Sequence, residues 1–153
     1  MQQLTELFAK ATQHCEQFAQ LLEQEKQALL EQDMVALEAL VQSKAPLIDQ
    51  LQADEQAISA RCLALGRPQD APLTDFISSL DNTDLAAGHT GFLAAAQRCQ
   101  DANLHNARLV RHSQHLNSAL LDLLRNQGET SQGVYDRQGN ASRGPSHRPI
   151  SRA

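Results

Sequence analysis

Three histidines in the last third of the chain have the spacing that metal chemistry uses. His112 and His115 form an H-x-x-H pair, and His105 lies one heptad before His112. Residues at i and i+3 share a helix face, so two imidazoles could meet one zinc ion. A zinc site needs at least three protein ligands, and no third stands beside the pair. The histidines are read as a polar helix face, and no metal or other cofactor is expected. Cys15, Cys62 and Cys99 lie far apart, with no C-x-x-C. They read as small buried hydrophobes rather than a redox or metal set. Glu23, Glu25 and Glu31 read as a solvated or intra-helix pairing set. The chain has no G-x-S-x-G, P-loop, H-E-x-x-H or G-x-G-x-x-G. Nothing here supports an enzyme, although a small metal-dependent one would have to use these histidines.

Two other groups can carry binding rather than catalysis. Asn103 and Asn106 sit one helical turn apart. Facing inward, they would need hydrogen bonds and would fix helix register. Facing outward, they could bond a peptide backbone. Then LNSALLDLLRNQ places Leu116, Leu120, Leu121, Leu123 and Leu124 on more than one face. A helix paired only with its own hairpin needs an apolar arc of about 100°. The excess implies either a self-dimer or wrapped tail, or a groove for a foreign amphipathic helix.

The elements that must position these residues are helices. Of 153 residues only 3% are aromatic, there is no Trp, and Leu, Ala, Gln and Glu dominate. Unbranched side chains lose little rotamer freedom in a helix, whereas sheets favour branched and aromatic ones. Leu4, Phe8, Ala11, Cys15, Phe18 and Leu22, then Leu29, mark one stripe of a helix over 3–31, widened by Leu7, Leu21 and Leu30. Asp33 is an N-cap. Leu37, Leu40, Val41, Ile48, Leu51, Ile58, Cys62 and Leu65 mark a second helix over 34–65. A tight turn near Gln32–Asp33 is preferred to one continuous helix over 3–65, because a hairpin buries both stripes within one chain. Pro46 should bend the second helix. Each arm of about 30 residues would be about 45 Å long.

Gly66, Pro68 and Pro72 end that helix. LTDFISSL predicts a short helix over 74–80 capped by Thr74, with Phe76, Ile77 and Leu80 packed on the hairpin. A polar, Gly-containing break over 82–91 precedes a third long helix, placed at 85–126. The fold class is therefore all-α: an elongated antiparallel hairpin plus a third long helix in one domain, 1–126, with a flexible basic tail, 127–153. Up to residue 125 the chain holds nine Lys/Arg and sixteen Asp/Glu, a net of −7, while the remainder is +2. An acidic body repels phosphate backbones, so no nucleic-acid partner is expected. No apolar run is long enough for membrane insertion. The N-terminus lacks signal-peptide order, and the expected location is the cytoplasm.

Three stretches together carry a family resemblance. LLEQEKQALLEQDMVALEALVQSKAPLIDQL, ANLHNARLV and VYDRQGN occur in that order. Glu25 precedes Leu29–Leu30, and Asp33, Leu37, Leu40, Lys44, Ile48 and Leu51 follow. Asn103 and Asn106 then form N-x-x-N with Leu109 behind, and Tyr135 and Gly139 lie in the tail. Over roughly residues 4–140 this resembles the FlgN-type flagellar export chaperones. The resemblance implies a small, acidic, cytoplasmic helical protein that holds the disordered C-terminal segments of the hook–filament junction proteins, the first and third hook-associated proteins. It also implies docking on the cytoplasmic domain of the export gate's membrane component. Carried over by position, Leu109, Leu116, Leu120, Leu121, Leu123 and Leu124 would hold cargo and Tyr135 would contact the gate. This tail reads VYDRQGN where other members often have Tyr-Gly. A homodimer without cargo, or a self-assembling coiled-coil adaptor with no cargo, is the alternative.

Overall fold

The computed structural model describes residues 1–132, with side chains for residues 1–126. Four helices make up the described chain: α1 (Gln2–Glu31), α2 (Met34–Ala64), α3 (Leu73–Ser79) and α4 (Thr83–Gln132). The fold is all-α, with no strand among the described residues. None of these helices is long and apolar enough to cross a membrane. The chain divides into two units, Met1–Val110 and Arg111–Ala153.

In the first unit α1 buries Leu4, Phe8, Ala11, Cys15 and Leu22, so the expected stripe is the one that packs. Leu30 is exposed and does not widen it. The helix stops because Gln32 turns left-handed, at φ 57. Asp33 N–H then bonds back to Ala28 O at 2.9 Å, which satisfies a carbonyl the ending helix would leave free. The Asp33 carboxylate accepts from Ala36 N–H at 2.9 Å and opens α2. Two residues thus reverse the chain, α1 and α2 pack along each other, and the continuous-helix alternative falls.

The buried phase of α2 differs from the expectation. Leu47, Asp54, Ile58 and Cys62 are buried, while Val41 and Ile48 are exposed. The repeat is 37, 40, 44, 47, 51, 54, 58, with Lys44 and Asp54 in two inward positions. Apolar side chains alone therefore indicate the wrong phase around residues 41–48. Pro46 stands inside α2.

After α2, Gly66 takes φ 94, a conformation that penalises any side chain. α3 starts directly after Pro72 and has no side-chain cap. Thr74 is not the cap; its carbonyl accepts from Ser78 Oγ at 2.9 Å inside the helix. Phe76 and Ile77 join Leu4, Phe8, Ala11, Ile58, Cys62 and Leu85 in one apolar cluster, with Leu80 packed beside it. Asn82 Oδ1 accepts from Leu85 N–H at 2.9 Å, so α4 begins at Thr83. The polar stretch 82–91 is thus mostly helix, because the N-cap and the packing of Leu85 and His89 together outweigh two glycines worth about 1 kcal/mol each.

α4 runs parallel to α1. Phe8 meets His89 and Phe92 at ring-centre distances of 5.2 and 5.9 Å. Farther along, Cys99 Sγ lies 2.9 Å from Cys15 O. Next, Asn106 Nδ2 donates to Leu22 O at 2.8 Å. A second apolar cluster, Cys15, Leu22, Ala95 and Cys99, lies along this seam. In the second unit α4 continues to Gln132, six residues past its expected end.

Candidate functional site

The second unit presents its leucines. Leu116, Leu120, Leu121, Leu123 and Leu124 are 50–64% exposed. At 100° per residue they span an arc of roughly 160°. Such a face is available to an apolar partner. Leu109 belongs to the first unit and is half-buried, so it does not share that exposure. His105, His112 and His115 are all exposed. Among the described residues no three His, Cys, Asp or Glu side chains gather as a metal site would need. Tyr135 lies outside the described residues.

Asn103 and Asn106 take different roles. Asn103 is exposed, whereas Asn106 is buried. Its amide donates to Leu22 O at 2.8 Å and to Glu25 Oε2 at 2.9 Å. Glu25 Oε1 in turn meets Lys44 Nζ at 2.5 Å, with both side chains about 15% exposed. One carboxylate thus joins α1, α2 and α4. Glu25 is therefore not part of a solvated, intra-helix set. Glu23 and Glu31 are, through Lys26 and Gln27 respectively. Asn106 Oδ1 is buried without a partner.

A second polar layer escaped sequence reasoning. Asp54, almost fully buried, accepts from His14 Nδ1 at 2.5 Å and meets Lys10 Nζ at 3.3 Å. The usable signal was the heptad: α2 places a carboxylate where its repeat requires a core residue. Such polar pairs specify which rungs of two helices meet, because any slipped register would leave a buried charge alone.

The cysteines are buried as expected. Burial, helped by the neighbouring Cys99, pushes the Cys15 thiol up to about 11. Burial also raises Cys62 and Cys99 above the ordinary thiol value. Thiols held protonated are poor nucleophiles and poor ligands. His89 is 4% exposed against Phe8, and desolvation lowers its pKa.

The first unit is thus a register-locked helical scaffold, and the second unit presents five exposed leucines. No curated protein sequence matches the chain. A crystal structure of a flagella synthesis protein FlgN from Pseudomonas aeruginosa is similar to it, with 29% identity and a TM-score of 0.64 over 81% of this chain and 97% of that one. The sequence model of the FlgN protein family matches residues 1–143. That match takes in all four helices, and the chain belongs to the FlgN family, whose members are flagellar proteins of the chaperone type.

Proposed function

We propose that this protein is a cytoplasmic export chaperone for the hook–filament junction proteins. It holds their disordered C-terminal segments, keeps them unassembled and brings them to the cytoplasmic domain of the flagellar export gate. The observation that carries the reading is the exposure of the five leucines at 116–124. A client end that must polymerise later is apolar on one face, and a helix laid in a groove hides that face. Each Leu-sized side chain buried is worth about 1.5–3 kcal/mol, and ordering the client takes back about 2–5 kcal/mol. Three or four such contacts give a complex tight enough to protect and loose enough to release. Tyr135 anchors on the gate while the body keeps its client, since one rigid aromatic suits a short docking motif.

Calorimetry with a peptide of a junction-protein C-terminal segment tests the first step. Wild type should bind, and Leu120→Asp should bind far more weakly at unchanged stability. Sedimentation separates the rival: a tight homodimer that ignores the peptide would make the chain a self-assembling adaptor. Tyr135→Ala should spare client binding and weaken gate docking. Loss of both together would defeat the tether role.

A further inference from the structure

The first unit carries a second surface that the leucines do not account for. α2 and the loop after it flank an open cleft of about 530 Å³. Cys15, Leu51, Ile58, Leu73 and Phe92 supply its apolar lining. Ile48, Gln52, Glu55 and Ser59 also line it, at spacings of four, three and four along α2. Residues so spaced form one ridge on a helix. From Ile48 to Ser59 that ridge is about 16 Å long, the rise of three helical turns. Ile48 is 41% exposed.

Arg67 lines the same cleft. The left-handed turn at Gly66 brings the chain out of α2, and Arg67 N–H bonds back to Cys62 O at 3.0 Å. Its side chain is less settled. Nε is buried with no acceptor, and among the described residues no carboxylate pairs with the guanidinium, Glu55 included. A desolvated N–H without an acceptor is costly, and a carboxylate would supply a charge-assisted bond. The cleft thus combines an apolar floor, a three-turn ridge carrying one acidic group, and a cationic side chain whose buried Nε has no acceptor.

We propose that this cleft is a second docking site, for an amphipathic helix of the client whose apolar face packs on that floor and whose carboxylate meets Arg67. The length of the cleft suits a helix, since it follows α2 for three turns, and Arg67 and Glu55 call for opposite charges on the occupant. The proposal rests on the chaperone reading above and adds a second point of attachment to it. Two modest contacts on one client raise the overall affinity without strengthening either.

The test titrates a fluorescent peptide of the junction protein's C-terminal segment into wild type, Arg67→Gln, Ile48→Asp and Leu120→Asp. Ile48 is exposed and Arg67 Nε has no acceptor to lose, so circular dichroism and melting should be unchanged. Arg67→Gln and Ile48→Asp should each weaken binding about tenfold, and Arg67→Gln should also flatten the salt dependence. A photo-crosslinking residue at Gln52 should capture the peptide. Wild-type affinity in either cleft variant, with Leu120→Asp alone impaired, would overturn the cleft and leave the leucines as the client site. A peptide that does not bind wild type would defeat the chaperone reading, and the cleft's occupant with it.

Discussion

Lys44 Nζ and Glu25 Oε1 meet 2.5 Å apart across the two arms of the hairpin, and Asn106 of α4 donates to the other oxygen of the same carboxylate. The pair is largely withdrawn from water, so its loss should be felt. Asn106→Ala should lower unfolding free energy by roughly 1–3 kcal/mol, the usual cost of leaving a buried polar partner unsatisfied. Lys44→Met should do at least as much, because it leaves the half-buried Glu25 carboxylate without its counter-charge. Urea titrations of the two variants check this. Stability within about 0.5 kcal/mol of wild type would mean that the junction contributes nothing.

Asp54 and His14 are unequal partners. Asp54 is nearly inaccessible, while the His14 side chain keeps 14% exposure. Removing His14 strands a buried carboxylate with Lys10 alone, whereas removing Asp54 leaves His14 able to reach solvent. Breaking a buried pair from the wrong side costs about 3–5 kcal/mol. His14→Leu should therefore destabilise the protein more than Asp54→Leu, which extends an apolar stripe already holding Leu51 and Ile58. The reverse order in chemical denaturation would refute this asymmetry.

His89 gives a pH dependence of known sign. Burial lowers its pKa in the folded chain, so the unfolded chain, titrating near about 6.5, binds its proton first on acidification. Stability is then full above about pH 6.5 and falls as pH drops from there toward the lower folded value. His89→Leu removes that contribution. The difference between wild type and variant should shift in the variant's favour between pH 7 and pH 5.5 in paired urea titrations. Parallel curves would show that His89 is not held neutral.

The buried thiols should be silent until the fold opens. With Cys15 raised to about 11 and Cys62 and Cys99 raised by burial, almost no thiolate exists at pH 8. A disulfide reagent should titrate the three cysteines slowly in native protein and at once in urea. Rapid reaction of two native thiols would place the α1–α4 seam in frequent exchange with an open state.

Leucines of the two units should behave oppositely. Leu22 is fully buried, and Leu22→Ala should cost about 2–5 kcal/mol. Leu120 is 57% exposed, and Leu120→Asp should leave stability within about 0.5 kcal/mol. Thermal melts separate the two outcomes directly.

Much of this architecture was legible in the residues. The α1 stripe, the reversal at Gln32–Asp33, the Asp33 cap, the packing of Phe76 and Ile77 and the excess of late leucines all follow from local rules. Most of what failed did so for one physical reason. Where a heptad puts Lys44, Asp54, His89 or Asn106 inward, apolar periodicity is silent. Each of those side chains is tolerable only because of what it meets on another helix, a contact that one strand of sequence does not display. Val41 and Ile48 were drawn to the wrong face by that silence. The roles of Asn103 and Asn106 are open in the sequence for the same reason, and Thr74 has a cap's residue type but not its place, since α3 starts directly after Pro72.

The parallel seating of α4 on α1 also has a bearing on synthesis. The hairpin is complete at Ala64, yet the α4 partners of Leu4 and Phe8 begin only at Leu85. At roughly 5–20 residues per second, a ribosome takes about 1–4 s to supply them. For that interval Leu4 and Phe8 lack their neighbours on α4. The first unit therefore cannot close its core until its share of α4 has been made, however early the hairpin forms.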